Sequence, residues 1–131
     1  MEKADDLFEK YSKELEVDTH VDVTTLRDKL ESLANTRSKW IFRLRQCEKN
    51  RHKLECVKRD FIADQIKGNP IELSKAKVSK NVESDSRYKT LIDEINDYDT
   101  LIKYLEDATK ILKDMGHMMH DLVELLKFEG Q

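Results

Sequence analysis

Residues that can bind a negatively charged ligand are concentrated between positions 37 and 59. This basic segment carries nine Lys or Arg residues and two acidic residues, a net charge of plus seven over 23 residues. The whole chain has a net charge of −3, because residues 37–80 carry plus eight, residues 1–36 minus five and residues 81–131 minus six. The pattern indicates either a polyanion partner or a solvated helix surface that docks the chain's own acidic termini.

Three aromatic residues, Trp40, Phe42 and Phe61, lie within or just after this segment. The phosphates of a single-stranded nucleic acid attract Lys and Arg, and its unpaired bases stack on exposed aromatic rings. Trp40 and Phe61 fall on an apolar seam, so we expect them to pack in the core. Phe42 lies off the seam beside Arg43 and is therefore the predicted base-stacking residue.

The residue types needed for catalysis do not form a recognisable constellation. Gly68, Gly116 and Gly130 are scattered, whereas a phosphate-cradling loop needs clustered glycines. Cys47 and His52 lack a third residue to orient them, which disfavours a thiol nucleophile. We therefore predict that the chain is not an enzyme and has no cofactor.

A histidine pair is the best candidate for a metal site. His117 and His120 lie one helical turn apart, and Asp121 and Glu124 follow them by four residues each. No third strong ligand is fixed nearby, so an exposed histidine pair with acidic neighbours is the favoured interpretation. We predict no metal.

The sequence also sets expectations for location. No run approaches the roughly 18 apolar residues of a membrane span, and residues 1–6 lack the apolar stretch of a signal peptide. Cys47 and Cys56 are nine residues apart, which places them on opposite faces of a helix and prevents an internal disulfide. We expect reduced cysteines and a cytoplasmic protein without a membrane partner.

Apolar periodicity predicts an all-α single domain built on a hairpin of two long helices. A long basic helix is predicted over 24–67, a loop over 68–86 and an apolar helix over 87–128. Residues 1–17 form either a short acidic helix that caps the core or a flexible arm.

Steps of four and three along the basic helix give a heptad seam that contains three bases. Its members are Leu26, Leu30, Leu33, Arg37, Trp40, Leu44, Cys47, Arg51, Leu54, Lys58 and Phe61. Such a seam predicts coiled-coil-like packing. Its bases must either extend to solvent or meet a negative charge, since an unpaired buried charge is costly.

The apolar helix carries two parallel apolar stripes, more than one neighbouring helix can cover. The chain has no other long apolar element, so a second subunit is the expected cover and a homo-oligomer is predicted. The predicted oligomerisation residues are Ile111, Met115, Met118, Leu122 and Leu125.

Three short segments carry a family resemblance that spans nearly the whole chain. They are Val21-Asp22-Val23-Thr24-Thr25-Leu26, then Ser38-Lys39-Trp40, and the ending Phe128-Glu129-Gly130. With a basic helix and a C-terminal amphipathic helix, this order resembles the UvsY family of bacteriophage recombination mediators. The chain departs from the family pattern at one element associated with DNA binding, which consists of two basic residues separated by any one residue. Counted without gaps from Ser38-Lys39-Trp40, the two basic positions of this element fall on Ala63 and Gln65, and neither residue is basic.

The resemblance implies a non-enzymatic protein that binds single-stranded DNA and helps load a RecA-like recombinase onto strands covered by single-strand-binding protein. It also implies a ring-like helical homo-oligomer, a hexamer or heptamer, in the cytoplasm of the phage's host. The predicted DNA-binding residues are Lys39, Arg43, Arg51, Lys53, Lys58, Arg59 and Lys67.

Two other functions fit the composition. A helical adaptor that binds only protein, and a duplex-DNA packaging or regulatory protein, would both have these long charged helices. Neither needs an exposed stacking aromatic, so the preference for single-stranded over duplex DNA distinguishes them from the mediator.

Overall fold

Four helices account for nearly all of the described chain. The computed structural model describes residues 2–68 and 75–130, and within 75–79 only the backbone. The helices are α1 (Ala4–Asp18), α2 (Leu26–Gly68), α3 (Lys75–Ser84) and α4 (Ser86–Glu129). No strand occurs in the described residues, so the all-α prediction is confirmed.

Helices α2 and α4 pack along each other as the predicted hairpin. The seam residues Leu33, Trp40 and Cys47 of α2 are buried, and Leu105 and Leu112 of α4 are inaccessible to solvent. The heptad spacing keeps one apolar stripe of α2 facing α4 over many turns, which explains the length of the contact. Gly116 lies where Leu33 approaches most closely, since a Cβ on this glycine would stand 2.8 Å from Leu33 Cδ2.

The predicted loop over 68–86 is wrong for residues 75–84, which form α3. Residues 69–74 of that loop lie outside the described residues. Helix α3 escaped prediction because its ten residues show no sustained apolar period, although Val82 is buried against the hairpin. Asp85 then caps α4, since its carboxylate accepts a hydrogen bond from the Arg87 amide at 2.8 Å.

Helix α1 packs on α4 as a third layer of the core. Its apolar residues Leu7, Tyr11 and Leu15 are buried, and the hydroxyl of Tyr98 on α4 donates to the carbonyl of Glu2 at 2.7 Å. Of the two alternatives for the N-terminal segment, the structure therefore selects the helix that caps the core. The expectation that the chain offers no second cover for α4 is wrong, because α1 covers its N-terminal half.

Helix α1 and the hairpin do not cover α4 evenly beyond residue 110. Ile111, Met118, Leu122 and Leu125 are exposed, as the second stripe predicts. Met115 was expected to face outward with them, and this is wrong: it belongs to the core cluster and is only 6% exposed. Four of the five predicted stripe residues are therefore exposed, and the stripe still runs from Ile111 to Leu125 with a gap at Met115.

Two neighbouring methionines provide a matched test of this packing. Met115→Ala removes a buried side chain, so we expect the free energy of unfolding to fall by about 2–5 kcal/mol. Met118, 51% exposed within the single chain, should tolerate the same change within about 0.5 kcal/mol at protein concentrations at which the chain is monomeric. Urea denaturation followed by circular dichroism measures both values. Equal losses for the two variants would contradict the assignment of Met115 to the core.

Candidate nucleic-acid interface

One surface of α2 points away from α4 and from α1 and carries exposed bases. We define this outer basic face by the residues Phe42, Arg45, Lys49, Lys53 and Lys67, with Arg59 at its edge, all of which are exposed. Successive members from Phe42 to Lys53 are three or four residues apart, the spacing that brings helical side chains onto one face. From Arg45 to Lys67 the face extends for about 33 Å at the ~1.5 Å rise of an α-helix.

Phe42 is the aromatic member of this face. Its side chain is 69% exposed, although burial of a phenyl ring is favourable and the core lies on the other side of the same helix. Trp40, two residues earlier, is fully buried. The residue predicted to stack on bases is thus the aromatic of the basic segment that the fold leaves accessible.

Two of the predicted DNA-binding residues hold α1 in place. Lys39 Nζ lies 2.7 Å from an Asp18 carboxylate oxygen and 3.8 Å from Glu14 Oε2. Arg43 forms an ion pair with Glu14 and lies over the ring of Tyr11, with its guanidinium carbon 4.5 Å from the ring centroid. At 18% exposure, Arg43 is part of the α1 contact rather than of an open surface.

Two further predicted residues are engaged within the hairpin. The Arg51 guanidinium forms an ion pair with Asp99 of α4 and lies 3.5 Å from Glu55. Lys58 Nζ lies 3.0 Å from Glu55. These contacts supply a negative charge to two of the three seam bases, Arg51 and Lys58. Arg37, the third, has no ion pair with an acidic side chain among the described residues. The outer basic face therefore contains three of the seven predicted residues, Lys53, Arg59 and Lys67.

Arg45 and Lys49 belong to the same face, although neither is among the predicted site residues. The spacing of three and four from Phe42 is the signal that identifies them. Arg45 Nη1 lies 3.1 Å from both carboxylate oxygens of Glu48. Because this pair is exposed, it contributes little stability, and Arg45 can exchange Glu48 for a phosphate. Asp60 is also exposed and lowers the local positive charge.

The candidates for catalysis and metal binding are not brought into a site. His117 and His120 are both exposed, and the described residues contain no group of three His, Cys, Asp or Glu side chains positioned to hold a metal ion. Burial, with a smaller effect of Glu48, raises the pKa of the Cys47 thiol to about 11, so the thiolate is scarce near neutrality. Within residues 2–68 and 75–130, no helix is long and apolar enough to cross a membrane.

Comparison with known proteins identifies solved structures with a similar fold, but no match by sequence. No protein-family model and no curated protein sequence matches the chain. Three crystal structures of the bacteriophage T4 recombination mediator protein UvsY superpose with TM-scores of 0.81, 0.78 and 0.75, at 17%, 16% and 18% identity. They cover 93%, 94% and 90% of this chain and 98%, 97% and 97% of the UvsY chains. The resemblance to UvsY therefore holds at the level of the fold over most of the chain.

The attachment of α1 should depend on pH through two carboxyl groups. The adjacent Arg43 guanidinium lowers the pKa of Glu14. Burial of Asp18 acts to raise its pKa, but hydrogen bonds from Lys39 and Trp40 outweigh this and lower it. The unfolded chain then binds more protons at acidic pH, so this stabilisation is complete above the ordinary values of 4.5 and 3.8 and is lost as the pH falls below them.

We expect the double variant Glu14→Gln with Asp18→Asn to lose part of the wild-type dependence of stability on pH between pH 6 and pH 3. Urea midpoints at the two pH values measure it. The control variant changes Glu9 and Glu16 to Gln, two exposed carboxylates on the same helix, and should keep the wild-type dependence. An unchanged dependence in the Glu14 and Asp18 variant would show that these ion pairs do not attach α1.

Proposed function

We propose that this chain is a non-enzymatic recombination mediator that binds single-stranded DNA and helps load a RecA-like recombinase onto strands covered by single-strand-binding protein. The observation that carries the proposal is an exposed phenylalanine among exposed Lys and Arg side chains on the outer basic face of α2. The UvsY-like fold supports the same conclusion, because the matched structures are of a recombination mediator protein. Such a protein would act in the cytoplasm of the phage's host cell.

The chemistry of the outer basic face suits the binding of single-stranded DNA of any sequence. Arg45, Lys49, Lys53, Arg59 and Lys67 would neutralise backbone phosphates and release condensed counterions. Phe42 would stack on a base that is unpaired in a single strand and hidden in a duplex. Base stacking is worth roughly 1–3 kcal/mol and depends little on base identity.

Assembly of several subunits would multiply this modest surface. The exposed residues Ile111, Met118, Leu122 and Leu125 form an apolar stripe at the C-terminal end of α4, and we propose that it joins subunits into a homo-oligomer. By the resemblance to the UvsY family, that assembly is a hexamer or heptamer. Each subunit would then contact few phosphates, while simultaneous binding by several subunits raises the overall affinity by about 10²–10⁴.

The mediator step would follow from how the assembled subunits hold the strand. A strand that crosses several outer basic faces cannot at the same time lie in the grooves of single-strand-binding protein. Its bases would stack only at each Phe42, so most of them would remain available to the recombinase. We propose these two proteins as partners on the strength of the family resemblance.

The DNA-binding proposal predicts the effect of replacing Lys53 and Arg59 by Ala. Affinity for a poly-dT oligonucleotide should fall about 25-fold at 0.1 M salt, since each phosphate contact contributes roughly fivefold at that salt. The slope of log affinity against log salt should flatten by about 1.4, or ~0.7 per contact. Fluorescence anisotropy titrations at several salt concentrations measure both quantities.

The matched control replaces Arg27 and Lys103, one Arg and one Lys that are exposed elsewhere, and should leave the slope unchanged. Equal losses in the two variants would mean that only net charge matters and that α2 has no defined site. Competition between single-stranded and duplex oligonucleotides separates the alternatives. A preference for duplex supports the packaging or regulatory protein, and absence of DNA binding supports the adaptor.

The assembly proposal predicts the effect of Ile111→Asp with Leu122→Asp. The double variant should sediment as a monomer that keeps its helical circular dichroism signal, because charges replace exposed apolar groups. Its affinity for long single-stranded DNA should fall by roughly 10²-fold because multivalency is lost, although no Lys or Arg is changed. Analytical ultracentrifugation and anisotropy measure the two effects.

The control for assembly is Asn96→Asp with Thr100→Asp, which adds two acids at exposed positions of α4 outside the stripe. It should sediment at the wild-type size. An Ile111 and Leu122 variant that also stays at wild-type size would place the subunit contact elsewhere. A monomeric variant with wild-type affinity would show that multivalency does not determine how the chain binds DNA.

A further inference from the structure

A second cluster of bases lies in the groove between α2 and α4. A cavity of about 320 Å³ opens there, lined by Arg37, Ile41 and Arg45 from α2 and by Thr109, Lys110 and Lys113 from α4. Ile41 and Arg43 are about 200° apart around α2, so this groove lies on the opposite flank from the α1 contact. The four bases come from helices that are distant in sequence, and only the hairpin brings them together.

The electrostatics of this groove favour an anion. The lining contains four cationic side chains and no carboxylate. Among the described residues, no acidic group lies within ion-pair distance of Arg37, Lys110 or Lys113, and the Arg45 contact with Glu48 is an exposed pair that is easily exchanged. Four like charges around one cavity repel one another, and an anion between them would relieve that repulsion.

The groove also has an apolar wall, which bears on the kind of anion. Ile41 is partly exposed at its edge and Leu44 closes it from the core side. A small inorganic anion gains nothing from these side chains, whereas a phosphodiester brings an apolar sugar and base beside its charge. The groove therefore fits a phosphate that belongs to a nucleotide or to a strand.

Continuity with the outer basic face distinguishes between these two sources. Arg45 belongs to both surfaces, and it lies one helical turn from Ile41 on the groove side and from Lys49 on the outer side. A polymer can contact both surfaces in one continuous path across α2, but a free nucleotide can occupy only one of them. We infer that this groove, formed by Arg37, Arg45, Lys110 and Lys113, is a second phosphate subsite for the bound single strand. The inference rests on the proposed function and extends the interface from one helix to two.

Substitution of the α4 lysines tests the subsite without touching the outer basic face. Lys110→Ala with Lys113→Ala should flatten the slope of log affinity against log salt by about 1.4 and weaken poly-dT binding about 25-fold at 0.1 M salt. The control is Lys10→Ala with Lys13→Ala, which removes two exposed lysines at the same spacing from α1. It should keep the wild-type slope, and an equal effect in both variants would overturn the inference.

Chemical acetylation of the wild-type chain provides a test that needs no variant. With and without poly-dT at one protein concentration, mass spectrometry reports the protection of each lysine. Protection of Lys110 and Lys113 together with Lys49 and Lys53 is the expected result. Protection of Lys49 and Lys53 alone would overturn the subsite and leave the proposed function standing, whereas no protection by any strand would overturn both.

A third arm replaces poly-dT with ATP or with sodium pyrophosphate at the same phosphate concentration. The inference expects neither to protect Lys110 and Lys113 as fully as the strand does, because neither reaches the outer basic face. Protection by ATP that equals protection by poly-dT would make the groove a nucleotide site and overturn its assignment to the strand.

Discussion

The buried indole of Trp40 is the contact on which the arrangement of the other helices depends. The side chain is fully buried in the core cluster that α1, α2 and α4 share, and its Nε1 donates to an Asp18 carboxylate oxygen at 2.8 Å at the end of α1. Tyr11 of α1 meets the indole edge-on, with 5.8 Å between the ring centroids. One residue thus links three helices, and it sets which side of α2 faces inward. This contact fixes the rotation of α2 about its own axis, and the direction in which each Lys and Arg of α2 points follows from that rotation.

That rotation separates the bases of α2 by environment. Lys39 and Arg43 face α1 and are neutralised by its carboxylates, while Arg51 meets Asp99 in the hairpin. The outer basic face and the groove between α2 and α4 receive the bases that remain accessible. The acidic N-terminal segment therefore has a structural role in the fold. Internal docking therefore accounts for the bases on one side of α2, and a polyanion partner is our proposal for the other side.

The sequence predicts the fold better than it predicts the site. Heptad spacing indicates the long helices and the hairpin, because that spacing is a local property of the chain. The partners of individual bases depend on tertiary placement: Lys39 and Asp18 are 21 residues apart, and Arg51 and Asp99 are 48 apart. The spacing of Met115 puts it on the outward stripe, yet it is buried, because which positions of α4 are covered depends on tertiary packing that leaves no periodic signal. Lys110 and Lys113 are not among the predicted site residues, because they lie in the acidic C-terminal segment of residues 81–131.

Neutralisation of part of the basic segment also bears on the proposed mediator activity. A protein that hands a strand from one partner to another must bind it and then release it, so a very stable single contact would block the second step. In the proposed mediator, internal ion pairs would keep the affinity of each subunit modest, and assembly would restore affinity through many weak contacts that can break one at a time. Because those contacts would be electrostatic, their strength would depend steeply on salt and little on sequence. Such a surface would act on any strand that a recombinase must coat.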